Sequence, residues 1–478
     1  MKKVILATFL LAGFLQAKTP LDFLKEIKKP EFKKNHTLLP LSRWGWELAP
    51  DVKIELARNW GYSLEINERI DEQVCTVARK ENLPLAVIIP RPLHKLGKGF
   101  LDDMADKAFC KDENGNVVKN VFSPEAADII FERTGQYVVD FLNQLAEKAG
   151  KQNIKIILNG GEYGLGVYGF GKKYWEKDPI VLKAKGEKDW LTYLSERKAH
   201  QEGIIYRTVK KNFPQANYIY YHTEGTHTNR YPGWWQWSYD YKSMRTISDF
   251  PSTSIYYGHF TSNFDPQGPF GDMLTQALNS VAQQLQFGDS LSYNWLNAGW
   301  EGNKQLADLS LYLGYLKCYY TAGMIGGVAG YFSVPVKGGF TGDQGEELPH
   351  WLAQMLVLSY THALFSHLEE YLRDGDLLPG PEKHRWSKNL PAYEFPTGVP
   401  YLRVLVRKHR QKKEWLATAW AMDGKARSCS VEIPEAGRIE LQARGCGSVY
   451  RIFLEKNQCQ IKQVDENVVY PLPFGSVK

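Results

Sequence analysis

The run Ile154-Lys155-Ile156-Ile157-Leu158-Asn159 passes without a break into Gly160-Gly161-Glu162-Tyr163-Gly164. Six residues, five of them apart from Lys155 suited to an interior or a strand end, read as a short β-strand closed by glycine. The glycines permit tight or left-handed backbone and close approach of a ligand, so a glutamate is expected in a turn at the end of the strand. Just upstream, Ser123-Pro124-Glu125 supplies an N-cap, a proline at the first helical position and an early acidic residue, and Gly150 supplies a stop. Between them Ile129, Ile130, Val138, Phe141, Leu142 and Leu145 recur at three- and four-residue spacing, which marks one core-facing stripe.

The same strand-and-helix alternation occurs eight times before residue 370. Strands are expected at 38–46, 62–67, 84–92, 154–159, 217–222, 252–259, 290–296 and 327–334. Similar helical stripes fill 190–213, 273–287, 309–322 and 348–368. That period indicates an α/β fold of parallel units, a (β/α)8 TIM barrel, whose active site would lie at the carboxyl ends of the strands. An open doubly wound sheet is the competing topology, but no GxGxxG follows the first strand, and the Gly160–Gly166 region lacks the Lys-Ser/Thr of a phosphate loop. From residue 401 the texture changes to short alternating strands with turns such as Asp423-Gly424, as in a small antiparallel β-sandwich. The expected organisation is a signal peptide over 1–17, a barrel over 18–378, a proline-rich linker over 379–400 and the β-sandwich over 401–478.

Met1-Lys2-Lys3, the apolar run from Val4 to Leu15 and Gln16-Ala17 have the layout of a secretory signal peptide, so a secreted or periplasmic protein is expected, with no membrane contact after cleavage. The apolar stretch is shorter than the ~20 residues a bilayer requires. The formal charge is +6, to which Lys2 and Lys3 contribute two, and no long basic run occurs; nucleic acid is not an expected partner. The six cysteines show no CxxC spacing, which argues against zinc or redox motifs; Cys75 with Cys110, or two of the three C-terminal ones, could pair, or all could be buried thiols. Aromatic residues make up 13% of the chain, with 14 Trp and 27 Tyr, many in loop-like segments where their faces suit flat sugar rings.

Glycoside hydrolysis requires two carboxyl groups flanking the scissile bond. Glu162 is the first candidate, and Glu301, after Leu296-Asn297-Ala298-Gly299-Trp300, the second. Glu224, after the fifth strand, is the alternative to Glu301; Asp265 and Asp272 are weaker candidates. Expected substrate-binding residues are Trp44, Trp46, Arg91, Asn159, Tyr163, His222, His259, Trp295 and Trp300, with Arg43, Asn67, His94 and Lys337 also at strand ends and Glu47 and Glu65 suited to binding hydroxyls. Trp234-Trp235-Gln236-Trp237 offers a stacking platform. No HExxH, His/Cys cluster or calcium-loop spacing occurs, so no metal and no cofactor is expected; nor does a GxSxG elbow.

With glutamates after strands four and seven and a C-terminal β-domain, the layout over residues 36–370 resembles the retaining glycoside hydrolases of the (β/α)8 clan A superfamily, which includes β-galactosidases, endo-β-glucanases and agarases. The usual Asn-Glu-Pro after strand four is here Asn159-Gly-Gly-Glu162. The resemblance implies cleavage of β-linked poly- or oligosaccharides, with Glu162 as acid/base and Glu301 as nucleophile. An inverting pair of Glu162 and Glu224 is the other arrangement: carboxyl separations of about 5–5.5 Å and about 6.5–9.5 Å distinguish the two. A non-catalytic carbohydrate-binding protein and a polysaccharide lyase are the competing functions. Oligomeric state is not legible.

Overall fold

The computed structural model describes residues 18–44, 47–67, 69–89, 96–160, 172–220, 222–223, 241–255, 285, 288, 290–297, 309–330, 350–383, 391–456 and 458–467. The chain is mixed α/β. Its first part carries strands β1 (Ser42–Trp44), β2 (Leu64–Ile66), β3 (Leu85–Ile89), a hairpin of β4 (Phe109–Lys111) and β5 (Val117–Phe122), then β6 (Ile154–Asn159), β7 (Asn217–Tyr220), β8 (His222–Thr223), β9 (Thr253–Ile255), β10 (Ser292–Asn297) and β11 (Met324–Gly330). All eight regions in which the sequence predicts a strand overlap one, with β11 starting three residues earlier than expected; the β4–β5 hairpin was not legible.

Outside that hairpin every pairing is parallel. One sheet has the order β2-β3-β6-β7 and the other β1-β11-β10-β9-β8. A parallel bridge between Leu41 and Tyr62 links the starts of β1 and β2, and β8 continues the chain of β7. Parallel strands covered on both faces need continuous apolar runs, and Leu85–Ile89 and Met324–Gly330 are buried at every residue. In β11 Gly326 leaves room for the Tyr293 ring: a Cβ there would sit 2.7 Å from it.

The helix Asp128–Ala149 starts later than the sequence predicts, with Ala127 rather than Ser123 as N-cap. Residues 123 and 124 are used elsewhere. The Ser123 hydroxyl accepts from the Glu125 amide at 3.1 Å, and the Pro124 carbonyl accepts from Gln201 and Arg197 on the helix Trp190–Asn212 at 2.9 and 2.8 Å. A tertiary contact has displaced the local signal. Ile129, placed by its spacing on the core stripe, is exposed in this first turn, whereas Ile130, Val138, Leu142 and Leu145 are buried. The stop is as expected, with Gly150 at φ 88°.

The C-terminal strands β12 (Gly375–Leu377), β13 (Leu402–His409), β14 (Glu414–Ala421), β17 (Ser448–Glu455) and β18 (Gln458–Gln463) form an antiparallel sheet in that order, and β15 (Arg427–Ile433) pairs with β16 (Gly437–Ala443) as a hairpin. Val404, Val406, Ala417 and Ala419 of the sheet share one core with Val431, Ile433, Ile439 and Leu441 of the hairpin. All six cysteines are free thiols, so neither pairing conceivable from sequence forms.

The helix Leu309–Ala322 joins this sheet to the parallel strands. Lys317, 2% exposed, donates to Asp465 at 2.6 Å and to the Gly447 carbonyl at 2.8 Å. Buried Arg407 donates to the carbonyls of Tyr371, Leu372, Gly375 and Thr321. Gly314 lies against Trp420, whose indole donates to the Gly445 carbonyl at 2.8 Å; a Cβ on Gly314 would sit 2.2 Å from the ring. Among the described residues no helix is long and apolar enough to cross a membrane.

Gly314→Ala therefore forces the helix away from Trp420 and destabilises the fold by about 1–3 kcal/mol; the measurement is the thermal midpoint, and an unchanged midpoint contradicts the close approach. A second test concerns His362, which accepts a place beside Tyr320 Oη at 2.7 Å in a fully buried setting. Burial, then nearby His36, pushes its imidazole down to about 3. Since the unfolded chain takes up this proton near 6.5 and the folded one near 3, stability contributed by neutral His362 is lost as pH falls through that window. The midpoint of His362→Gln is expected to fall less steeply between pH 6.5 and 4 than that of the wild type.

Candidate functional site

A cavity of about 730 Å³ opens at the carboxyl ends of the first three strands, lined by Arg43, Trp44, Glu47, Lys53, Glu65, Asn67, Arg69, Ile70, Asp71 and Ile88. That size fits the range of small-molecule sites, about 300–1,000 Å³. Its position follows from the register. Glu65 pairs with Ala86, and Ala86 with Ile156, while Ile89 pairs with Asn159 and Asn159 with Tyr220. Cross-strand partners share a face and neighbours alternate, so Glu65, Ala86 and Ile88 lie on one face, and Asn159 and Tyr220 on the other.

On the cavity side, Arg43 Nη2 donates to Glu65 Oε2 at 2.8 Å, with both side chains 4% exposed. Burial pushes the Glu65 carboxyl above the ordinary range, and the cations of Arg43 and Lys53 oppose that push. Lys53, also buried, is brought in by the helix Pro50–Asn59 and pairs with the exposed carboxylate of Glu47. Asn67 Nδ2 donates to the other Glu47 oxygen at 3.3 Å. The result is an exposed acceptor on a buried cation, beside a charge-assisted pair. Trp44, half-buried, packs on buried Trp295 with ring centroids 5.0 Å apart and planes at 57°. An aromatic wall next to fixed donors and acceptors can take a ring with an apolar face and several hydroxyls.

On the opposite face, Asn159 Nδ2 donates to Tyr218 Oη at 2.8 Å and to Glu202 Oε2 at 3.2 Å. Glu202 and Lys198 are buried on the helix Trp190–Asn212. Burial raises the Glu202 carboxyl, against Lys198, Tyr220 and Asn159; burial likewise brings the Lys198 ammonium down to about 8, against Glu202.

Of the residues singled out from sequence, Trp44, Arg43, Glu47, Glu65 and Asn67 thus meet in one cavity, with Trp295 against Trp44. Asn159 faces the helix layer instead. The backbone of His222 pairs with Thr253. Glu162, Glu301, Glu224, Trp46, Arg91, Tyr163, His259 and Trp300 lie outside the described residues, as do His94, Asp265, Asp272, Lys337 and the Trp234–Trp237 run. The sequence reading missed Lys53, Arg69, Asp71, Lys198 and Glu202. Lys198 and Glu202 carried a signal: with Leu194 they recur every fourth residue along a buried stripe. Among the described residues no group of three His, Cys, Asp or Glu side chains could hold a metal ion.

No family model matches the sequence, and no curated protein does. Three glycosidases are among the solved structures similar in part to this chain. A cold-adapted β-galactosidase from Rahnella sp. R3 is 9% identical over 91% of this chain and 100% of its own, with a TM-score of 0.47. An α-amylase from Geobacillus thermoleovorans, complexed with acarbose, is 14% identical over 87% of each chain, with a TM-score of 0.40. The catalytic domain of a β-amylase from Paenibacillus polymyxa is 13% identical over 58% of this chain and 86% of its own, with a TM-score of 0.37.

Proposed function

We propose that this chain is a secreted or periplasmic glycoside hydrolase on a closed (β/α)8 barrel, acting on β-linked poly- or oligosaccharides. One observation carries the reading: the Trp44–Glu65 cavity opens at the carboxyl edge of the parallel strands, the edge from which β6 and β10 lead to Glu162 and Glu301 within four residues. Closure is supported by pairing in chain order, from β1 across the Leu41–Tyr62 bridge to β2, β3, β6 and β7, onward through β8, β9, β10 and β11, and back to β1.

In this reading Glu162 delivers a proton to the glycosidic oxygen as the leaving group departs. Glu301 attacks the anomeric carbon and forms a glycosyl ester. Ionised Glu162 then takes a proton from water, whose oxygen displaces Glu301 and leaves the anomeric configuration retained. Trp44 would stack on a sugar ring, and Glu47, held by Lys53 and Asn67, would accept from its hydroxyls.

Reducing-end release from β-glucans, galactans, agars, carrageenans and mannans tests this. Glu162→Gln and Glu301→Gln should each lower kcat by about 10²–10⁴-fold with the thermal midpoint unchanged; wild-type activity in either removes that residue from the mechanism. Trp44→Ala should raise KM about tenfold, equivalent to about 1.4 kcal/mol of lost ring contact, and an unchanged KM places the sugar elsewhere.

A further inference from the structure

The buried stripe of the helix Trp190–Asn212 breaks the rule that such a face be apolar. Leu194, Ile205 and Val209 obey it; Lys198 and Glu202, 1% and 6% exposed, stand in the same stripe. Burying this pair costs desolvation that two aliphatic residues would avoid, and departures of that kind gather where function demands them. What the pair does locally is on view. Glu202 accepts from Asn159 Nδ2 at 3.2 Å and from the Tyr220 hydroxyl, and Tyr218 shares the Asn159 amide at 2.8 Å. The Lys198 ammonium lies 5.9 Å from the Tyr220 ring centre. Asn159 is the last residue of β6, and the next backbone amide, that of Gly160, donates to the Ile89 carboxyl-end carbonyl at a long 3.3 Å. The side-chain bonds of Asn159 add to the ladder that pairs this strand end with Ile89 and Tyr220.

We propose that Glu202 is a positioning residue: through Asn159 it fixes the end of β6, the point from which the chain runs on through Gly160-Gly161 to Glu162. This rests on the reading of Glu162 as the acid/base. Glu202, bonded to Asn159 on the helix-facing side of β6, acts by setting where the following residues begin. Lys198 supplies a counter-charge that opposes the effect of burial on the Glu202 carboxyl, which accepts from Asn159 and Tyr220.

Two double variants isolate the acceptor. Lys198→Met with Glu202→Gln removes both charges and keeps an oxygen facing Asn159, whereas Lys198→Met with Glu202→Leu removes the oxygen as well. The first should keep kcat within about twofold of wild type, and the second should lose about 10–100-fold in kcat at unchanged KM, the scale of a misplaced catalytic group. Their thermal midpoints serve as the control for folding. Amide hydrogen exchange of peptides covering 155–162 should quicken in the leucine variant alone. Equal kcat in the two doubles, or equal exchange, overturns the proposal. Wild-type activity in Glu162→Gln would instead overturn the parent reading, and the exchange comparison would still decide whether Glu202 holds the strand end.

Discussion

A parallel β-strand cannot satisfy its own backbone. Every amide and carbonyl in β1 to β3 and β6 to β11 must find a neighbour running the same way, and the pairings pass from strand to strand in chain order. Much else follows from that constraint. Successive strands need a return segment long enough to be helical, the helices cover one face, and the interior runs become apolar. Because all the strands point one way, their carboxyl ends share an edge, and polar side chains far apart in sequence, such as Arg43 and Glu65, meet there at 2.8 Å.

Three pairs of buried charges stand out against this apolar frame. Arg43 with Glu65 borders the cavity, Lys198 with Glu202 lies beneath the end of β6, and Lys317 with Asp465 joins the parallel strands to the C-terminal sheet. Each pair gives up hydration that its attraction repays only with good geometry and further hydrogen bonds. At two of the three pairs such bonds are on view: Asn159 at Glu202, and Val449 and Gln463 at Asp465. The pairs contribute direction, since an apolar contact tolerates sliding and a bidentate or networked charge does not.

The strands were legible because short apolar runs between glycine, proline and polar turns leave little choice of structure; Ile154–Asn159 is bounded in sequence as in space. Helix starts were less so. Ser123-Pro124 is a good local N-terminus, but Gln201 and Arg197, 77 and 73 residues away, hold its backbone in a turn, and no local rule contains them. At the site, Trp44, Glu47, Glu65 and Asn67 were legible as strand-end residues. Lys53 was not, because a lysine in a surface helix ordinarily reaches water; only the fold shows it turned inward toward Glu47. Asn159 was placed correctly at a strand end, but which face it takes depends on register, which a single strand does not reveal.

The six cysteines have a consequence for a chain read as exported. Five are buried, and burial pushes the thiol of Cys75 up to about 11, that of Cys110 up to about 12 and that of Cys429 up to about 11. Oxidation proceeds through the thiolate, and here that species is both scarce and shielded. No cross-link joins the six thiols, so packing and hydrogen bonds rather than disulfides hold the folded chain.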